Sequence, residues 1–173
     1  MKGITPADWL ENEDRVTRND RLQRLKWIGS LMPEVNYLGF PGGLLSKYHF
    51  EEMRYCFVYG QFLAAVMLGL AYIEHTLAAN FYAAGRNDME RANITELLRR
   101  ALESRWINRD DFDHIDRARE LRNALTHFRR PLHEEGIEYR AFILQNDFPY
   151  TVLEEDARHV IQAVFRILTA NAA

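Results

Sequence analysis

Between residues 119 and 130 the chain reads Arg-Glu-Leu-Arg-Asn-Ala-Leu-Thr-His-Phe-Arg-Arg. If this stretch is helical, Arg119, Asn123 and His127 fall four residues apart and share one face. Arg122 and Thr126 form the adjacent column. Ala118, Leu121 and Leu125 occupy another side, so the polar set is expected to point away from a core. A phosphate on that face would meet a guanidinium fork, an amide and an imidazole together.

Those groups suit the cleavage of RNA. The 2′-hydroxyl must lose a proton as it attacks phosphorus, the leaving 5′-oxygen must gain one, and negative charge builds on the phosphoryl oxygens. A histidine handles protons near neutral pH. An arginine stays charged and stabilises the transition state. The chemistry asks for no metal and no other cofactor. Glu120 or Glu74 could serve as an acidic partner of the imidazole, and the sequence leaves that choice open.

Other chemistries find little footing. The chain has no phosphate-loop, dinucleotide-binding, zincin or nucleophile-elbow motif. Its six histidines, at 49, 75, 114, 127, 133 and 159, include no pair at i, i+4, which argues against a metal site. Cys56 is the only cysteine, so neither an internal disulfide nor a cysteine-based zinc site is expected, and a reducing compartment follows.

The elements that must position these residues read as helices. Thr5-Pro6 offers an N-cap followed by proline at the first helical position, and helical character continues to about Ser30. Pro33 and the segment Gly39-Phe-Pro-Gly-Gly43 form a turn-rich connector. Residues 46 to 84 predict a second helical region, broken near Gly60 and ended by Gly85. From Tyr55 to Ile73 the only strongly polar side chain is Gln61, long enough to approach a membrane span, but richer in Ala, Gly and Tyr than in Leu and Ile. A buried central helix is the expectation there. Asn93-Ile-Thr-Glu96 is a capping-box pattern opening a helix to about Ser104, and Asn108 or Asp110 caps the next. Phe112, Ile115, Ala118, Leu121, Leu125 and Phe128 step by three or four residues as a core-facing stripe, which Pro131 stops. Residues 132 to 150 read as a loop with a short hairpin, because Ile137, Tyr139, Ala141 and Ile143 alternate. Leu153 to Ala170 is again helical. The fold class expected is all-α, an up-and-down bundle of four to five helices.

Within this setting Arg122-Asn123-x-x-x-His127 resembles the R-N-x-x-x-H signature of the HEPN superfamily, placed near the end of a late helix. The apolar run from Gly60 to Glu74 is similar to the second helix of several HEPN groups. The resemblance spans roughly residues 50 to 170. It implies a HEPN-like bundle and a metal-independent endoribonuclease of toxin-antitoxin or phage-defence type. Two chains would pair to line one cleft, and an antitoxin or regulatory protein would act on them. It further implies His127 as acid/base, Arg122 as phosphate-binding and transition-state residue, Asn123 as polar organiser and Glu74 as acidic partner. Some HEPN domains serve only as binding or dimerisation modules, so a catalytically inactive nucleotide-, RNA- or protein-binding module is the competing expectation.

Length and charge agree with this frame. With 173 residues, 47% of them apolar and 27% charged, one domain is expected, with 1–45 as an N-terminal extension and connector and 46–173 as the core bundle. The net charge of -3 excludes a broadly basic nucleic-acid binder. Yet among the 22 basic residues only Lys2, Lys26 and Lys47 are lysine, so nineteen are arginine. Nine of these lie between 99 and 130 against six acids, a local excess of positive charge where RNA could dock. Arg117, Arg129 and Arg130 are the candidate backbone contacts, and Trp106, Phe128 and Tyr139 the candidate stacking platforms. Residues 1 to 15 carry no apolar leader, so a cytoplasmic, membrane-free protein is expected.

Overall fold

The computed structural model describes residues 5–34, 38–145 and 148–170, and all regular structure among them is helical. Residues 35–37 of the expected connector and 146–147 of the expected hairpin lie outside the described residues.

The helix α1 spans Pro6–Leu31. Its start is a reciprocal capping box: the Thr5 hydroxyl accepts the Asp8 N–H at 3.1 Å while Asp8 accepts the Thr5 N–H at 3.1 Å. Only Ile28 is buried, so α1 docks by its last turns and its first half stands clear, with Trp9 and Val16 in solvent. Trp27 packs on Phe57 with ring centroids 5.2 Å apart. Arg24 lies over Phe62 and pairs with Glu154 at 3.0 Å.

Two helices follow, α2 at Gly43–Val58 and α3 at Phe62–Ala83. The break is a Schellman turn: the Gln61 N–H reaches the Cys56 carbonyl at 2.7 Å and the Gly60 N–H reaches Phe57 at 3.1 Å. Gly60 takes φ +77°, which an L side chain resists. α3 is apolar on every side as far as Ile73 and is the central helix of the fold, packed against α2 and against the last helix described below. It is long and apolar enough to cross a membrane, and half of its most apolar window is buried inside the protein. At Gly69 α3 and α7 pack closely, for a Cβ there would lie 2.6 Å from Val160 Cγ1.

A 3₁₀ turn at Asn87–Met89 leads to α4, Ile94–Glu103, and α5, Arg109–Thr126. Both α-helices begin at asparagine caps: Asn93 Oδ1 accepts the Glu96 N–H at 3.0 Å and Asn108 Oδ1 accepts the Asp111 N–H at 2.9 Å. Glu96 does not close the reciprocal half of the expected box, because Arg99 and Arg100 engage its carboxylate. Two further helices follow, the short α6 at Ile137–Ile143 and the long amphipathic α7 at Pro149–Ala170.

The bundle therefore holds seven α-helices among the described residues, where four to five were expected. Part of the difference is the Gly60 break, and part is α6, which replaces the expected hairpin. The alternation of Ile137, Tyr139, Ala141 and Ile143 misled because burial there follows helical spacing: Ala141 is buried, Ile137 is partly covered by the core, and Ile143 is exposed. The anchor of α6 is Arg140, whose guanidinium grips the buried Asp156 of α7 at 2.5 and 2.7 Å.

A second correction concerns the stripe on α5. Ile115, Ala118 and Leu121 are buried as expected, but Phe128 is 90% exposed. The helix ends at Thr126, and His127 is its C-cap with extended φ −105° and ψ 132°. Pro131 excludes the helical conformation for Arg130 and brings no N–H of its own. The chain instead closes a loop in which Arg129 binds Glu135 at 2.7 Å and His133 Nδ1 accepts the Glu135 N–H at 3.2 Å.

Candidate functional site

The last two turns of α5 carry the chemistry-bearing residues. The Arg122 side chain is half-buried, its Nη2 donating to Asn123 Oδ1 at 3.3 Å. Its Nε is buried and has no hydrogen-bond partner among the described residues. Thr126 donates its hydroxyl back to the Arg122 carbonyl one turn earlier at 3.1 Å. The His127 N–H still reaches the Asn123 carbonyl at 3.2 Å, yet its own extended backbone turns the residue out of the helix, and its imidazole is exposed. The column expected on Arg119, Asn123 and His127 is thus interrupted at both ends. Arg119 is drawn to Asp116 at 2.6 Å, and His127 has left the helical spiral.

Around these residues the guanidinia fall into two classes. Arg117 pairs with Glu120 at 3.1 Å, Arg119 with Asp116, Arg129 with Glu135 and Arg140 with Asp156. Asp113, four residues before Arg117, is held instead by Arg109 at 2.9 Å. Arg122 and Arg130 form no ion pair with any described residue. The arginine of the motif is therefore one whose charge is uncommitted.

Beside the motif lies an open cleft of about 520 Å³, bordered by Arg117, Glu120, Asn123, Arg129, Glu134 and Arg140 among others. Asn123 is the residue that joins motif and cleft: its oxygen holds Arg122 and its side of α5 borders the cavity. Neither acid considered for His127 is bonded to it. Glu120 is occupied by Arg117, and Glu74, half-buried on α3, makes no ion pair with a described residue. Of the stacking candidates, Phe128 is free in solvent next to His127. Tyr139 is half-buried, and Trp106 packs on Phe81 with centroids 4.4 Å apart.

Two features were invisible to sequence spacing. Arg140 joins the cleft from α6, a segment read as non-helical. His114 of α5 and His159 of α7, 45 residues apart, stack at 3.9 Å, each Nε2 lying within 3.2 Å of the other's backbone carbonyl. Burial pushes His114 below the ordinary imidazole range, and the neighbouring His159 adds to this. His49 and His75 form a second contact at 5.0 Å, with His49 likewise pushed down, first by burial. Elsewhere burial raises the Cys56 thiol, which makes it a poor nucleophile, and drives Tyr72 up to about 12. No group of three or more metal-ligating side chains occurs among the described residues. No protein-family model, curated protein or solved structure matches this chain.

Proposed function

We propose that the chain is a HEPN-type endoribonuclease whose site is Arg122, Asn123 and His127. The observation that carries this reading is the state of Arg122: its guanidinium is unpaired, half-buried and oriented by Asn123, five positions from an exposed imidazole. An anion reaching that guanidinium would gain a charge-assisted hydrogen bond that no carboxylate among the described residues already supplies.

In the reaction, His127 takes the 2′-hydroxyl proton as the 2′-oxygen attacks phosphorus, the bond to the 5′-oxygen breaks, and Arg122 neutralises charge on the phosphoryl oxygens. The products are a 2′,3′-cyclic phosphate and a 5′-hydroxyl. A proton must also reach the leaving oxygen, and each chain offers one such Arg/His set. A homodimer bringing two sets to one groove supplies both roles, and the open apolar flank of α3, with Leu63, Met67 and Tyr82 in solvent, gives a second copy a surface to cover. The reading places the protein in the cytoplasm, as a toxin or defence nuclease answering to an antitoxin or regulatory protein.

One observation favours a second reading, a catalytically inactive binding module. No carboxylate among the described residues orients His127, and each arginine bordering the cleft already has an acidic partner. The two readings part at His127→Ala. For the nuclease, cleavage of single-stranded RNA and the cyclic-phosphate product disappear while the fold and the dimer mass persist. Cleavage that survives the substitution refutes the site.

A further inference from the structure

We propose that Arg140 is the fixed phosphate anchor of the cleft beside Asn123, and that the Arg129–Glu135 pair is a latch which an incoming phosphodiester opens. The proposal rests on the reading of RNA as ligand given above, and adds a binding subsite to it.

The three guanidinia bordering the cleft are held in unlike ways. Arg117 and Arg129 are paired with Glu120 and Glu135, whose carboxylates are half in water. Such pairs are weak and exchange readily. Arg140 is held from behind. Its Nη1 and Nη2 donate to Oδ2 and Oδ1 of Asp156, a carboxylate only 2% exposed and contributed by α7, a different helix from its own. This end-on grip directs two of the five guanidinium N–H groups inward and leaves three for a ligand. Arg140 meanwhile borders the same cleft as Asn123. A fork fixed in advance loses little rotamer freedom on binding, and its planar geometry fits the non-bridging oxygens of a phosphodiester.

The loop from 127 to 136 brings Glu134 and Glu135 to the cleft rim, and Glu135 already occupies Arg129 at 2.7 Å. This carboxylate stands in for the ligand. When a phosphate takes its place on Arg129, Glu135 passes into water, and the cleft changes from closed by its own ion pair to anion-bound. Glu135 therefore lowers affinity for the RNA backbone, while Arg140 supports it.

The test uses the full chain and a single-stranded 2′-O-methyl oligonucleotide, which cannot be cut by attack of its own 2′-oxygen. Binding is read by fluorescence anisotropy. Arg140→Met combined with Asp156→Leu replaces the buried pair by apolar side chains and preserves the fold. It should weaken binding about tenfold or more with the melting midpoint retained. Arg140→Lys, which keeps the charge opposite Asp156 and loses the fork, should also weaken it. Glu135→Gln should tighten binding several-fold. Unchanged affinity in the folded Arg140 variants overturns the anchor, unchanged or weaker affinity in Glu135→Gln overturns the latch, and a wild-type chain that does not bind the strand overturns both. Cleavage of the unmodified strand is scored separately. A wild type that binds but never cuts removes the nuclease reading and leaves the anchor standing, whereas normal cutting with an indifferent Arg140 does the reverse.

Discussion

Arg122 donates to the amide oxygen of its own neighbour, Asn123, at 3.3 Å, and keeps Nε buried without a partner. A buried donor left unpaired costs free energy, about 1–3 kcal/mol, more for a charged group. The folded chain tolerates this at a position where the fold gains nothing evident from a guanidinium. Arg21, Arg24 and Arg54 share such an Nε, but Arg21 and Arg24 are ion-paired and Arg54 lies over Phe50, so what sets Arg122 apart is its uncommitted charge.

Substituting Arg122 by Ala should accordingly leave stability within about 1 kcal/mol of wild type or raise it. RNA cleavage should fall by about 100-fold or more, the scale on which a single transition-state donor counts. Arg122→Lys should not restore it, because a point charge cannot reproduce the fork aligned by Asn123. Thermal melting with single-turnover cleavage separates the two effects. A variant that melts far below wild type would falsify the idea that Arg122 is spared for a ligand.

Stability should fall as the pH drops below neutrality. His114 and His49 are both pushed below the ordinary imidazole value by burial and by a histidine neighbour. The unfolded chain takes up those protons at about pH 6.5 while the folded chain does not. Their contribution is thus intact above that pH and is lost below it, down to the depressed folded values. Arg166 reinforces the depression at His114 and Asp110 opposes it. His114→Gln should flatten the decline of unfolding free energy between pH 7.5 and pH 5.5 by up to about 1.4 kcal/mol per pH unit in its steepest part. Urea titrations at the two pH values give the answer, and an unaltered slope speaks against the depressed imidazole.

Gly69→Ala should destabilise the bundle by about 1–3 kcal/mol, since the added methyl would meet Val160 Cγ1 at 2.6 Å and Met53 Sδ at 3.2 Å. Trimming the obstacle with Val160→Ala should recover part of the loss, a coupling visible in a double-mutant cycle. Purely additive costs would mean that α3 and α7 do not meet at that point.

Arg105 is a non-glycine residue at φ +59° just past the end of α4, and the Trp106 N–H after it reaches the Ala101 carbonyl at 2.9 Å. The turn is the one that Gly60 and Gly85 make without strain. Arg105→Gly should therefore stabilise the chain by about 0.5–1 kcal/mol, the left-handed penalty less the extra freedom of an unfolded glycine. A calorimetric midpoint at or below wild type would count against strain at this turn.

Much of this architecture is legible in one dimension where the determining contacts are local. Thr5, Asn93 and Asn108 announce helix starts because a cap is satisfied within three residues. Gly60 and Gly85 announce helix ends because only the backbone of one turn is involved, and the apolar run that becomes α3 marks the core by composition alone. Arg122, Asn123 and His127 were equally readable as a motif of three residues within six, of which α5 carries the first two and His127 is its C-cap.

What required the tertiary structure was every outcome set by partners distant in sequence. Whether Arg122 or Arg119 stays uncommitted depends on which carboxylates its neighbours capture. The release of His127 from the helix depends on a loop closed from Arg129 to Glu135, and the helicity of α6 depends on Asp156, sixteen residues away. His114 and His159, separated by 45 positions, meet only because α5 and α7 pack together. Local hydrogen bonds are specified by adjacency along the chain, whereas the choice among competing charges and the placement of a short helix are decided by burial. Burial exists only once the helices have assembled.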